Sequence, residues 1–421
     1  MTNASSPGGL RRFHFGYFDL FWACVGLVST LLDLGTDINT ITKLYLASHV
    51  VSASLLLACR LTADIVVQFF SLAWLYDDWK ERRANQNLEF PRPSWVVKVL
   101  HCLQLGLIYR FVWALRKGWK AIQDGGEGLA AEAVYRSTDI TMLRLFKTFI
   151  ENAPQLVLLI GRMVQAERVN LMEGLSAVVC LFSISWILLD YHKALRISLN
   201  NKLQLQGYLA SFVYLLWNLL LVAPRVVTLG FYVAAVGPMA AVHVALWWFA
   251  MLVWARLQDT DFTTSKKKEF VYNSVVAVIW IFSWFNVSKT RTLWRSVIYH
   301  FAVLVDIIIM IMVYYVFLGE DTQKLVVLCF VSVVFICYTC GIAVRCVYYR
   351  RLHPSVTVAT VEFVQPEVQL NIIDVDTDGP MEPFTKQVNK RITKFVGYPH
   401  LPNSSSRSSQ RNGSNSRSRI V

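Results

Sequence analysis

Ten apolar segments joined by basic connections limit this chain to a membrane fold, because a soluble core could not bury so many of them. Most of the segments reach the roughly 20 residues that a helix needs to cross a bilayer. The composition agrees, with 55% hydrophobic and only 16% charged residues. The segments cover residues 13–32, 50–75, 95–115, 142–163, 171–190, 207–236, 238–255, 270–287, 296–318 and 325–347. We predict an all-α polytopic membrane protein.

The basic residues between the segments predict which ends lie in the cytosol. Loops rich in Lys and Arg stay on the cytosolic side, and this rule explains the net charge of +13 better than a nucleic-acid partner does. Segments 95–115 and 270–287 have basic residues at both ends, so each should be a re-entrant helix that enters and leaves on the cytosolic side. The other eight segments are predicted to cross, which places both termini in the cytosol.

The order of the segments repeats, since two crossings, a re-entrant helix and two crossings occur twice. We therefore predict a first membrane repeat over 1–204, a second over 205–351 and a cytosolic regulatory tail over 352–421. Each repeat has an even number of crossings, so the two should be parallel and related by an axis along the membrane normal. The repeat is visible in segment order and charge, without clear residue identity between the halves.

Acidic and small polar residues form a line along the first helix. At about 100° per residue, Asp19, Asp33 and Asp37 fall on one face, with Gly26 and Thr30 between them. Asp19 and Asp37 are about 27 Å apart along a helix, close to the hydrocarbon thickness of about 30 Å. Three acids on one line exceed what local pairing requires, so we interpret the line as part of a polar path.

Segment 142–163 has a second polar face. Arg144, Glu151 and Gln155 fall on one side of a regular helix, and Lys147 lies next to them. A charge at mid-membrane costs at least about 2.5–3.5 kcal/mol and usually marks function. Alternatively, Lys147 and Glu151 simply neutralise each other four residues apart. Both interpretations stay open for this segment.

Four further charged residues in apolar segments could lie against these faces. Arg225, which directly follows Pro224, is added to the predicted polar path, and Asp306 interrupts a long apolar segment. Arg60 and Asp64 are also four residues apart, and for them we predict a structural role in a buried salt-bridge network that holds the bundle together.

The sequence has no motif for ATP binding, hydrolysis or a metal centre. GxxxxGK[ST] and HExxH do not occur, and no Ser/His/Asp or Cys/His set is apparent. The eight cysteines lie almost wholly in apolar segments, so we predict that they pack rather than bind metal. We expect a non-enzyme without a cofactor or metal, in which an ion, a solute or a lipid head group uses the polar path.

Five motifs in order resemble the XK-related (XK/Kell-complex) family. They are Asp33-Leu-Gly-Thr-Asp37, Leu143-Arg-Leu-Phe with Glu151-Asn-Ala-Pro-Gln155, Leu189-Asp-Tyr-His-Lys-Ala-Leu195, Trp217-Asn-Leu-Leu-Leu and Ser283-Trp-Phe-Asn-Val287. The similarity is greatest to the apoptosis-activated branch. It implies eight crossings, two re-entrant helices, phospholipid scrambling that exposes phosphatidylserine, and a single-span immunoglobulin-type subunit of the basigin or neuroplastin kind. It also implies a lipid path along the acids of the first helix and around Glu151, where Lys147 departs from the acid expected.

The tail changes its charge abruptly at Asp378-Gly379. Residues 352–378 contain five acids and no Lys or Arg, whereas residues 379–421 contain eight Lys or Arg and one acid. An exposed Asp before a small residue is a caspase substrate, and the resemblance implies that this cut activates the protein. Asp376 is a second candidate. The basic segment beyond the cut could dock under the bundle or lie on the anionic cytosolic leaflet.

Together, these features predict a multi-pass plasma-membrane phospholipid scramblase that a caspase activates. Two alternatives stay open. One is a passive channel or solute transporter that uses the same path, and the other is a partner subunit that transports nothing.

Overall fold

The computed structural model describes residues 15–84, 92–166, 170–198, 207–258, 260, 265–286, 293–317 and 324–352. Within those ranges every regular element is a helix and none is a strand. The predicted all-α fold is therefore confirmed. The predicted cleavage site at Asp376, Asp378 and Gly379 lies outside the described residues, as does the rest of the tail.

Twelve α-helices make up the described part of the chain, and we number them in order. They are α1 Tyr17–Leu46, α2 Val50–Ala84, α3 Trp95–Cys102, α4 Gly106–Asp124, α5 Glu127–Lys147, α6 Ala153–Gln165, α7 Leu171–Ser198, α8 Tyr208–Val236, α9 Ala240–Arg256, α10 Lys266–Phe282, α11 Leu293–Phe317 and α12 Lys324–Val347. A π turn, Thr148–Asn152, joins α5 to α6, and a second, Tyr348–Leu352, follows α12.

Six helical stretches of the described chain are long and apolar enough to cross a membrane. They are Tyr17–Leu46, Val50–Lys80, Leu171–Ile197, Tyr208–Arg256, Leu293–Phe317 and Val327–Leu352. The fourth has 49 residues and contains both α8 and α9, which Gly237 separates with a left-handed φ of 59°. A multi-pass membrane protein is thus confirmed, whereas the predicted eight crossings, two re-entrant helices and parallel repeats stay predictions.

The largest hydrophobic core of the described residues takes in side chains of α2, of every helix from α4 to α12 and of the first π turn. Phe146, Phe149, Val226, Val276 and Trp280 have no exposed surface there. By contrast, α1 lies at the periphery, and its only buried residues are Gly26, Asp37 and Leu44. In a lipid environment apolar surface gains little from leaving the acyl chains, so polar contacts weigh more in holding such a helix.

The predicted helix over 95–115 is in fact two helices, and this part of the prediction is wrong. The chain turns between α3 and α4 at Gln104, which has a left-handed φ of 62°. Gly106 follows because a Cβ there would lie 2.2 Å from Oε1 of Gln68 on α2. Polar residues of both helices bond to the rest of the bundle, His101 on α3 and Arg110 on α4.

Arg110 and His101 attach the α3–α4 hairpin to α2 and α5. Arg110 donates from Nε to Oγ of Ser71 (2.7 Å) and from Nη1 to Oδ2 of Asp139 (2.9 Å). Because Ser71 Oγ accepts from Arg110, its hydroxyl proton is free to donate to Nε2 of His101, 2.8 Å away. Nδ1 of His101 then donates to the Val97 carbonyl, 2.7 Å away. Because these groups are buried and hydrogen-bonded, we interpret the network as structural. It attaches the α3–α4 hairpin to the bundle.

The predicted sidedness of the α3–α4 hairpin can be tested with single cysteines. Gly118 is unsuitable, because a Cβ there would lie 2.4 Å from Cε1 of Phe15. Gln123, which is exposed near the end of α4, is the better position. We expect Gln123→Cys to be labelled only by reagents that reach the cytosol, and Leu46→Cys, at the opposite end of α1, only from outside. Mass spectrometry of each tryptic peptide separates these sites from the native cysteines. Labelling of Gln123→Cys from outside intact cells would show that segment 95–115 crosses the membrane. It would then favour a fold in which all ten apolar segments cross.

Lys268 of α10 joins the two halves of the chain at one end of the bundle. Its Nζ lies 3.0 Å from Oδ1 and 3.1 Å from Oδ2 of Asp77 on α2. At the opposite end of α10, Phe282 packs on Phe149 of the first π turn, with ring centroids 6.2 Å apart. Thus α10 contacts both α2 and the π turn.

Candidate functional site

Six charged side chains meet between α1, α2 and the first π turn, inside the apolar part of the bundle. They are Asp33, Asp37, Arg60, Asp64, Lys147 and Glu151. We call this group the charge cluster. It contains four carboxyl groups and two cations, so two of the acids predicted from the first helix, Asp33 and Asp37, do meet charged residues of segment 142–163.

Arg60 is the centre of the charge cluster. Its Nη1 lies 2.5 Å from Oδ2 of Asp37 on α1 and 2.8 Å from Oε1 of Glu151 on the π turn. Its Nε lies 2.8 Å from Oδ2 of Asp64, one turn along α2. The predicted Arg60–Asp64 pair is therefore present, and Arg60 extends it into a salt-bridge network that connects α1, α2 and the π turn.

Lys147 connects α1 to the same π turn. Its Nζ donates to Oδ2 of Asp33 at 2.7 Å and lies 3.8 Å from Oε2 of Glu151. The shorter contact is the one across helices. Neutralisation within segment 142–163 is therefore the weaker of the two interactions of Lys147.

Glu151 lies at the π turn, where it bridges the two cations. Its side chain is 2% exposed, and Oε2 makes no hydrogen bond with any residue that the structure describes. Pro154, two residues into α6, lacks the N–H that a regular helix needs at that point, which favours the wider π geometry. Single π turns within α-helices often occur at functional sites.

A small cavity adjoins the cluster. Its volume of about 10 Å³ is close to the space that one water needs. The lining residues are Asp37, Ile41, Leu56, Cys59, Arg60, Glu151 and Gln155. Gln155, predicted as a path residue, therefore adjoins the cluster, and the native thiol of Cys59 faces the same space.

The acids of the cluster meet closely enough to suggest a cation site. Carboxylate oxygens of Asp33, Asp37 and Glu151 lie within 4.8 Å of one another. However, Arg60 and Lys147 already bond to these carboxylates, so side-chain cations take the place that a metal would need.

Comparison with known proteins identifies the family. The model of the XK-related protein family matches residues 21–354. The chain belongs to the XK-related family. Among curated relatives, XK-related protein 8 of Pan troglodytes is 36% identical over 354 residues, which cover 83% of this chain and 86% of the relative. XK-related protein 8 of Tetraodon nigroviridis is 33% identical over 350 residues, covering 82% and 85%. XK-related protein 8 of Gasterosteus aculeatus is 30% identical over 397 residues, covering 91% and 96%. The predicted family is thus confirmed.

Three of the predicted path residues in this XK-related chain, Asp19, Arg144 and Arg225, lie away from the cluster. Asp19 is exposed at the start of α1, where its Oδ2 accepts a hydrogen bond from the Gly16 N–H (2.9 Å). Arg144 lies 3.6 Å from Asp190 on α7, and its Nη1 would be 3.3 Å from a Cβ at Gly26. Arg144 thus contacts α1 about two turns before Asp33.

Arg225 belongs to a second buried charge site, formed by the other half of the chain. It is 1% exposed, pairs through Nη1 with Asp306 on α11 and donates from Nε to the Ile281 carbonyl (2.8 Å). Oδ1 of Asp306 lies 3.0 Å from Nε2 of His243. Trp247 stacks on the guanidinium, with the ring centroid 5.0 Å from Cζ. Every one of these partners lies in α9, α10 or α11.

Proposed function

We propose that the chain is a phospholipid scramblase that exposes phosphatidylserine at the plasma membrane after a caspase cuts its tail. The observation that carries the proposal is the charge cluster between membrane helices of an XK-related chain. Its relatives named XK-related protein 8 support the same function, as does the resemblance to the apoptosis-activated branch.

A charge cluster at this place suits lipid head groups better than lipid tails. A phospholipid head group carries a phosphate and, in most species, an amine, and both need partners in the apolar interior. Four carboxylates and two cations offer partners of both signs. The cavity beside them has room for about one water, so a head group could reach the cluster only after a conformational change.

The tail, the partner and the location complete the proposal. Cleavage after Asp378, or after Asp376, would remove the basic segment 379–421. A single-span immunoglobulin-type subunit would accompany the chain to the plasma membrane, and both termini would be cytosolic. Transport is passive, so the proposal includes no catalytic step.

Purified full-length protein in liposomes tests this function. After caspase treatment, we expect fluorescent analogues of phosphatidylserine, phosphatidylcholine and phosphatidylethanolamine to exchange between leaflets without any ion gradient. Dithionite quenching of the outer leaflet measures the exchange, and untreated protein is the matched control. No gain over protein-free liposomes after complete cleavage would contradict the proposal.

The second candidate, a passive channel or solute transporter, rests on the same cluster. It predicts ion or solute flux across these liposomes without loss of lipid asymmetry. Parallel flux measurements on the same vesicles therefore separate the two functions.

A further inference from the structure

We propose that Arg60 and Lys147 form a binding site for the phosphate of a lipid head group, and that Asp37 and Asp33 of α1 occupy this site in the closed protein. The inference rests on the proposed function for the source of the ligand. It adds the chemical group that is recognised and the residues that compete with it.

The two cations are held side by side by one carboxylate. Glu151 bonds to Arg60 through Oε1 (2.8 Å) and lies 3.8 Å from Lys147 through Oε2. Cations separated by a single carboxylate are within reach of the two free oxygens of one phosphodiester. Arg and Lys bind carboxylates and phosphates through the same N–H donors, so one anion can replace the other.

Donor capacity also remains unused at this site. Nη2 of Arg60 makes no hydrogen bond with any residue in the described ranges, and the side chain is 13% exposed. A phosphate that approaches Arg60 could therefore form its first hydrogen bond before an existing partner leaves.

The present partners differ in how firmly they are held. Asp64 and Glu151 belong to α2 and the π turn, which pack in the bundle, whereas Asp33 and Asp37 belong to the peripheral helix α1. The side chain of Asp33 is 31% exposed, although the Lys147 side chain that it covers is only 7% exposed. A small outward movement of α1 would thus uncover both cations while Glu151 keeps them together.

The exchange replaces two carboxylates on the cations by one phosphodiester. A phosphodiester carries one negative charge and can accept hydrogen bonds from both cations at once, as Asp37 and Asp33 do separately. The α1 carboxylates therefore act as tethered competitors of the head group.

Protection of Cys59 tests this site without any measurement of lipid transport. Cys59 lines the cavity together with Asp37 and Arg60, so a ligand on Arg60 should shield its thiol. The protein is the full-length chain in detergent, and the variant Asp33→Asn/Asp37→Asn removes the competing charges with little change of shape. We expect Cys59 of this variant to be alkylated faster than in the unmodified chain, by mass spectrometry of its peptide.

Three probes then identify the ligand. Dihexanoylphosphatidylcholine should slow Cys59 alkylation severalfold in the Asn variant, and dihexanoylglycerol, which lacks phosphate, should not. Slowing by inorganic phosphate as well would support a site for phosphate itself, whereas slowing by the phospholipid alone would support recognition of the whole head group. If dihexanoylglycerol slowed Cys59 alkylation as much as the phospholipid does, the proposal would be overturned.

Removal of the cations provides the matched control. Adding Arg60→Gln and Lys147→Gln to the Asn variant should abolish the protection, and a persistent effect would contradict the site. Should this protein not accumulate, Arg60→Lys in the Asn variant replaces it, and protection should weaken because the planar guanidinium is lost. This experiment measures binding and not transport. Loss of protection would therefore contradict the phosphate site, whereas loss of lipid exchange in liposomes would contradict the proposed function.

Discussion

Replacing Asp306 by Leu should prevent the protein from accumulating in the membrane. The change leaves Arg225 buried with a full charge, a carbonyl partner and an aromatic face but no carboxylate. Removing one member of a buried ion pair typically costs about 3–5 kcal/mol, which is a large part of the stability of a helical domain. Fluorescence size-exclusion chromatography of a tagged variant measures the loss of monodisperse protein.

The double variant Arg225→Met/Asp306→Leu is the control for this prediction. Apolar replacements of similar size remove both charges, and such exchanges are often neutral or stabilising. We expect accumulation to recover substantially in the double variant. Normal amounts of the single variant Asp306→Leu would show that Arg225 finds another partner, and the pair would not be structural.

Removal of the tail at Asp378 should expose phosphatidylserine without any death signal. In the intact chain, the basic segment 379–421 is tethered, so even a weak contact beneath the bundle forms readily. After the cut the same contact is bimolecular and dissociates. A bias of a few kcal/mol is enough to keep the open state rare before cleavage. Annexin binding to living cells that express residues 1–378 measures the effect.

Resistance to the cut should have the opposite effect. The double variant Asp376→Ala/Asp378→Ala, which covers both candidate sites, should abolish exposure after caspase activation while surface expression is unchanged. Among the acids that the basic segment could contact, the exposed Asp77 already pairs with Lys268, and Asp78 accepts a hydrogen bond from Tyr135 (2.9 Å). Exposure that persists in this variant would exclude the tail as the switch.

The membrane class and the polar face of the first helix could be predicted because they depend on periodicity and on the cost of buried charge. Asp33, Asp37, Lys147 and Glu151 stand out in apolar segments, and the structure brings all four together. Their role in a lipid path stays a prediction. Asp19 shares their periodicity but lies where α1 begins, so it caps backbone instead.

The central place of Arg60 could not be predicted, because i,i+4 spacing identified Asp64 as a partner but did not identify Asp37 or Glu151. Only the packing of α1 and the π turn against α2 shows that its guanidinium has further contacts. The π turn itself has no periodic signal. It inserts about one residue into the helix, which turns the following residues by about 100°, so a regular helical wheel cannot place Arg144 and Gln155 correctly relative to each other. His243 and Trp247 were missed because single residues of these types in apolar helices give no pattern.

The ion pair between Lys268 and Asp77 connects two helices, α10 and α2, which both extend to the charge cluster. Arg60 and Asp77 lie on one uninterrupted helix, about 26 Å apart. From the same contact, α10 extends to the π turn that carries Glu151, through Phe282 and Phe149. We therefore expect a displacement at this ion pair to reach both members of the Arg60–Glu151 ion pair. Force applied at the rim of the bundle can in this way separate charges near its centre, without any ligand having to enter first.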